Sequence, residues 1–350
     1  MRIAATLILC VAATCVSGRA AATDSLGSFQ RRVDSNLRTS NIASLDAAAD
    51  ELRISKARFD DGRWKLSIFF GVIEDTLSSI VTDRAARTNL ELRLDAYART
   101  HPNSMNAPLF LAMLLEAEAW EARGTGYAST VSPQQWHAFD EKMGQARAAL
   151  DRSKPTLSGN PAWFNERIDH ATHTSEGDGI VTALLLEGIK REPRYLPNYF
   201  AALVQKSPRW GGTRKAMVSF INQVGLNSPE ARSEGLYARL VWFAENDYPA
   251  IEADPGISWA EMTRAFDAIL KTYPAERNAQ KFFFMACMHS DQPEAAKLLN
   301  LVHSAPLPDL FESNVPVFGM CTDWAKGSLA KFVARDHDPN TGEVVEHLIK

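Results

Sequence analysis

The chain is short of four things: cysteine, clustered positive charge, flexible linkers and, beyond residue 16, any apolar run long enough to cross a membrane. Each shortage excludes something. With 38 basic against 42 acidic residues and no basic block, there is no electrostatic footprint for nucleic acid. Without a Gly/Ser or Pro-rich linker, one continuous array is preferred to two independent domains. Nucleophilic and metal chemistry also lack their local signatures. No G-x-S-x-G elbow and no H-E-x-x-H pair occurs, and serines and histidines are scattered.

What is present begins with MRIAATLILCVAATCVSGRAAATD. One early charge at Arg2, an apolar run from Ile3 to Val16 and then small residues make the three-part layout of a secretory signal peptide. The run is shorter than the roughly 20 residues that span a bilayer. Residues 1–22 are therefore expected to be a leader, cleaved after Ala22 with Ala20 and Ala22 as the small-residue pair. Cys15 raises a lipoprotein signal as the alternative, against which Thr14 is a poor neighbour. Cleavage removes Arg2 and Arg19 and leaves a mature chain of net charge -6, expected to be exported to the periplasm or beyond, with no membrane span.

Of four cysteines, Cys10 and Cys15 leave with the leader. Cys287 and Cys321 remain, either as one disulfide suited to an oxidising compartment or as two separate buried thiols.

Helical periodicity dominates and period-2 alternation is almost absent. Leu90, Leu94 and Tyr97 share a face; so do Phe139, Met143, Ala146 and Leu150, then Met217, Phe220, Ile221 and Val224, then Met262, Phe266, Ile269 and Leu270. Ser132-Pro133 with Gln135 reads as an N-cap, a first-turn proline and a capping-box partner. Boundaries at Pro161, Pro193 and Pro229 lie near the period of a helix-turn-helix repeat, although no repeat consensus recurs in register. The eight Trp residues spread along the chain as they would along one extended core. The expected fold is all-α: a degenerate, tetratricopeptide-like, α-solenoid-like array over 23–330, then a polar, loosely docked tail over 331–350.

Four segments carry a resemblance: YARTHPNSMNAPLFLAMLLEAEAWEARGTGYASTV (97–131), YLPNYFAALVQKSPRWGGTRKAMVSF (195–220), EGLYARLVWF (234–243) and YPAERNAQKFFFMACMHSDQPEAAKLL (273–299). Together they resemble a family of bacterial, mostly exported, domain-of-unknown-function proteins with a tetratricopeptide-like fold. The best marker is Pro208-Arg209-Trp210-Gly211-Gly212, followed by a helix with Met217 and Phe220. The resemblance implies a helical fold and no established activity, catalytic residue or cofactor.

Two stretches suggest chemistry. Gly124-Thr125-Gly126 looks like a phosphate loop, but no strand precedes it and no Lys-Ser/Thr follows. Gly124 instead reads as a left-handed helix stop. Glu166, His170 and His173 fall on one helix face, where one carboxylate and two imidazoles would suit zinc. The plainer reading is a polar face with solvated or locally hydrogen-bonded histidines. Stacked helices create a long concave face that ordinarily binds peptides or proteins. Trp120, Arg123, Tyr127 and Trp210 are the candidate contact residues, with core packing and loop anchoring as their rival roles. The expected function is thus an exported scaffold that binds a protein or peptide without a cofactor. The alternative is a hydrolase, metal-dependent through the Glu166 face or otherwise built from distant residues.

Overall fold

Several helices start where the sequence offers an oxygen to cap them, and α2 and α5 stop at the positive-φ residues Lys56 and Gly124. The computed structural model describes residues 25–157, 159–248, 251–311, 315–337 and 344–349. The expected leader over 1–22 and residues 338–343 of the tail lie outside these. In chain order the helices are α1 (Leu26–Arg38), α2 (Ile42–Ser55), α3 (Lys65–Ile80), α4 (Arg84–Thr100), α5 (Ala107–Arg123), α6 (Pro133–Leu157), α7 (Pro161–His173), α8 (Asp178–Arg191) and α9 (Pro197–Val204). They continue as α10 (Arg214–Asn227), α11 (Pro229–Arg232), α12 (Leu236–Ala244), α13 (Trp259–Thr272), α14 (Glu276–Met288), α15 (Gln292–Leu299), α16 (Pro308–Phe311) and α17 (Val315–Ala325). The described chain is thus mostly helical.

Local chemistry accounts for the boundaries. Asp83, Asn160, Thr213, Ser258 and Asp291 each accept a backbone N–H of the helix they precede, satisfying donors that the first turn cannot. The capping box before α6 forms as expected. Gln135 N–H donates to Ser132 Oγ at 3.3 Å, and Ser132 N–H donates to Gln135 Oε1 at 3.0 Å. Gly124 does end α5 at φ 77°, but its ψ of 177° puts it outside the left-handed helical well, in a region open almost only to glycine.

The apolar stripes face inward as their spacing requires. Leu94, Ala146, Leu150, Ile221, Met262, Phe266 and Ile269 are buried. Contacts run along alternate helices: α1 packs on α3, α3 on α5, α5 on α7, α7 on α9, and α9 on α12. Between them each helix also packs on its sequence neighbour, most extensively α5 on α6. The spacing of Pro161, Pro193 and Pro229 does not mark equal units, because α7 and α8 have 13 and 14 residues while α9 and α10 have 8 and 14.

Two features concern the C-terminal part. Cys287 on α14 and Cys321 on α17 are buried at disulfide distance, 5.8 Å between Cα atoms, which joins two helices that already touch. The tail, expected to be loosely docked, instead pairs β1 (Phe332–His337) antiparallel with β2 (Val344–Ile349), Phe332 opposite Ile349. Phe332, Ala334 and Ile349 are buried while Val333 and Leu348 are exposed, so a short period-2 pattern docks one face of the hairpin on the helical core. Among the described residues no helix is long and apolar enough to cross a membrane.

Candidate functional site

The row α3, α5, α7, α9, α12 lines up the chemistry. Its centre is α7, positioned at both ends by polar anchors. At the start, buried Asn160 donates to Asn106 Oδ1 at 3.0 Å, and Asn106 in turn donates to Asp46 of α2 at 2.8 Å. At the end, Arg167 donates to Glu176 at 2.7 Å, and Arg147 of α6 closes on the same carboxylate at 2.6 Å. Burial opposes ionisation of Glu176, yet those two guanidinium groups outweigh it and lower its pKa. The rotation of α7 is therefore specified, and with it the side chains that face α3 and α5.

Glu166, His170 and His173 do share a helix face, but they do not meet at one point. His170 is buried, and its Nδ1 lies 2.8 Å from Glu116 Oε1 on α5; His173 Nδ1 lies 3.4 Å from Glu116 Oε2. The polar face of solvated or locally hydrogen-bonded histidines expected from sequence is thus corrected for His170 in its partner, which comes from another helix. Nor do the three form a zinc set. Among the described residues, no group of three or more His, Cys, Asp or Glu is arranged to hold a metal ion. Burial resists the charge on Glu116, but hydrogen bonds from His170 and His173 prevail and lower its pKa. Burial likewise works against the charge on His173, while Glu116, Asp169 and Glu74 together raise its pKa and favour the imidazolium.

Beside this pair opens a cavity of about 240 Å³, lined by Glu74 of α3 and by Glu166 and Asp169 of α7, with Phe200 of α9 and Phe243 of α12 as its far wall. Among the described residues no lysine, arginine or histidine lines it. The consequence is electrostatic. Burial, then repulsion from Glu116, Asp169 and Glu74, pushes Glu166 well above the usual carboxylate range. Burial also carries Asp169 up to about 7, with Glu74 and Glu116 adding to the rise and His173 opposing it. Glu74 is raised by burial and by Asp75.

On the other side of His173 lies a wider cleft of about 1190 Å³. It gathers all four contact candidates read from sequence, Trp120, Arg123, Tyr127 and Trp210. The His173 ring packs against two tryptophans, its centroid 5.2 Å from Trp120 and 5.0 Å from Trp210. Arg123 has the loop-anchoring role: its Nη1 donates to the Gly124 and Gly126 carbonyls at 3.1 and 3.0 Å, with its guanidinium over Trp120 and Trp136. Tyr127 is 86% exposed at the lip and packs into nothing.

The Pro208 to Gly212 motif has a mechanical explanation. Gly212 lies so close to Lys206 that a Cβ would stand 2.0 Å from the Lys206 carbonyl oxygen, and Gly211 turns the chain at φ 80°. Those two glycines fold the loop tightly enough to hold Trp210 against Trp120, at 6.2 Å between ring centroids.

Sequence reasoning missed Glu74, Glu116 and Asp169. Only Glu116 left a signal, as a carboxylate inside the otherwise apolar run 107–117 of α5. The result is a mostly helical protein with an aromatic cleft, a histidine–carboxylate pair and a carboxylate cavity set side by side. Comparison of the chain with protein-family models, with curated proteins and with solved structures finds no match in any of the three.

Proposed function

We propose that the chain is a helical scaffold that binds an extended peptide segment of a protein partner along the face formed by α3, α5, α7, α9 and α12. A lysine or arginine of that segment enters the cavity of Glu74, Glu166 and Asp169, and neighbouring apolar side chains lie against Trp120 and Trp210. One observation carries this reading. Three carboxylates line one cavity with no cationic side chain among the described residues lining it, at a cost in raised pKa values that a purely structural site would not need. An incoming cation would relieve that repulsion. The succession of contacts along alternate helices supports a solenoid-like array with this face inward. The leader-like start and the cysteine pair at disulfide distance support an exported protein working in an oxidising compartment.

The test follows the tryptophan fluorescence of residues 23–350 while an extended apolar peptide bearing one lysine is titrated in, against the same peptide with norleucine. The lysine peptide is expected to bind about 30-fold or more tightly, and Glu166→Gln with Asp169→Asn to erase that difference. Equal binding of the two peptides would end this reading.

Hydrolysis is the second reading, and Asp169 is its reason. A carboxyl titrating at about 7 beside a Glu166 that favours its protonated form is the pairing that general acid–base chemistry uses near neutral pH. Mass spectrometry of the lysine peptide after prolonged incubation distinguishes the two. Cleavage that Asp169→Asn abolishes, with binding retained, would make the site catalytic.

A further inference from the structure

The cleft on the far side of His173 offers a ligand more than apolar surface. At about 1190 Å³ it exceeds the roughly 300 to 1,000 Å³ of a small-molecule pocket, so several residues of an extended chain fit it. Trp120, Trp136 and Trp210 line it, each half-buried, and Tyr127 stands exposed at the lip. Rings of this kind give a large contact area for little loss of side-chain freedom.

Hydrogen-bonding groups are unevenly divided there. Elsewhere in the chain the indole N–H groups of Trp64, Trp163 and Trp259 donate to protein acceptors at 2.9, 3.2 and 2.8 Å. Those of Trp120, Trp136 and Trp210 meet no acceptor among the described residues, which leaves three donors on rings that line the cleft. Acceptors, hydroxyls aside, are scarce. The Gly124 and Gly126 carbonyls take the Arg123 guanidinium, and the Tyr127 carbonyl takes the Thr130 N–H and hydroxyl, both at 2.8 Å. Asp140 is the one carboxylate among the described residues that line the cleft. Charge narrows the choice further. Arg123 already lies over the Trp120 and Trp136 rings, so a second cation on them would be repelled. The ligand that fits is neutral and flat-sided, rich in acceptors and poor in donors.

A proline-rich strand has those properties. In the polyproline II conformation the backbone makes no internal hydrogen bonds, so its carbonyls are open, and proline has no N–H to satisfy. We infer that the cleft is a polyproline II subsite: prolines of the bound segment lie on the rings of Trp120, Trp136 and Trp210, and its carbonyls accept from their indole N–H groups. The inference rests on the peptide reading above and specifies which apolar residues accompany the lysine. Sugars also stack on indoles, but each hydroxyl brings a donor with its acceptor, and this cleft has little to receive those donors.

Four peptides of equal length test it, with lysine or norleucine at one position and prolines or leucines at the apolar ones, each at several spacings. Binding to residues 23–350 is followed by tryptophan fluorescence. The indole N–H resonances are followed by proton–nitrogen NMR, assigned through Trp120→Phe, Trp136→Phe and Trp210→Phe. The proline peptides are expected to bind about tenfold more tightly than the leucine ones, although leucine is the more apolar, and to move all three indole protons downfield. If proline and leucine peptides bind equally and the indole resonances stay in place while lysine still matters, the polyproline subsite is overturned and the basic site stands. If proline matters and lysine does not, the subsite stands and the preceding reading falls. Indole shifts produced by a chitin oligosaccharide and by none of the proline peptides would give the cleft to a sugar and overturn the inference. Binding by none of the four peptides overturns both readings. The affinities are compared on the unaltered chain, so they do not depend on a variant that folds.

Discussion

Replacing Asp169 by asparagine should stabilise the protein at pH 8 and leave it nearly unchanged at pH 4. Burial holds the Asp169 carboxyl at about 7 in the fold, against an ordinary value of 3.8. The fold therefore binds this proton more tightly than the unfolded chain does. Its contribution is fully present below about pH 4 and is lost as pH rises through 7, where the carboxylate must ionise among Glu166 on its own helix, Glu74 of α3 and Glu116 of α5. His173, raised in the fold, loses its contribution in the same direction, and Tyr195, pushed up by burial and by Asp169, keeps its proton throughout. A rise from 3.8 to about 7 corresponds to about 4 kcal/mol. Asparagine keeps the oxygen that accepts from Asn165 Nδ2 at 2.7 Å and discards only the charge. With some of the gain returned as His173 loses a favourable neighbour, about 2 to 4 kcal/mol of stabilisation is expected at pH 8. At roughly 2 °C per kcal/mol for a chain of this length, that is a rise of about 4 to 8 °C in Tm. Circular-dichroism melts of both proteins from pH 4 to pH 8 read it directly. A variant that melts lower than the parent by the same margin at both ends of the range would refute the electrostatic reasoning and make Asp169 an ordinary structural acceptor.

Three further outcomes follow from other contacts. Cys287→Ser, or reduction of the parent, opens a loop of 34 residues between α14 and α17 and should cost about 3 to 4 kcal/mol, seen as a reductant-dependent Tm that the variant lacks. Gly212→Ala drives a methyl group into the Lys206 carbonyl, so it should destabilise by about 2 to 4 kcal/mol and shift the emission of the Trp210 cleft; an unchanged spectrum would show that the loop yields elsewhere. Glu116→Gln removes the carboxylate that the buried His170 meets at 2.8 Å through Nδ1 and leaves it only Glu176, at 3.8 Å from Nε2. It should cost about 2 to 3 kcal/mol at pH 7 and progressively less as pH falls through the lowered pKa of Glu116, where the parent loses the same interaction.

How much of this was legible in the sequence divides by range. Helix faces and their ends rest on neighbours three or four residues away, and there the reading holds: Phe139, Met143, Ala146 and Leu150 face the core, and Ser132 and Gln135 exchange their hydrogen bonds. The strand pair at 332–337 and 344–349 escaped because, among the residues whose side chains are described, three inward ones, Phe332, Ala334 and Ile349, carry its alternation. Trp120, Arg123, Tyr127 and Trp210 do reach one cleft, though Arg123 spends its donors on its own loop.

The chemistry of the groove lay out of reach for a different reason. Glu74, Glu116 and Asp169 stand far apart in sequence, and each alone resembles a surface carboxylate on a helix. What changes their meaning is that α3, α5 and α7 adjoin, which buries Glu116 and half-buries Asp169 within reach of the exposed Glu74. His170 shows the same effect in reverse. Read along its helix it belongs with Glu166, but the packing of α5 on α7 supplies Glu116 first, at 2.8 Å. That bond ties up an imidazole a metal would need, and leaves Glu166 with the other carboxylates, where burial and then their repulsion push it well above the usual carboxylate range.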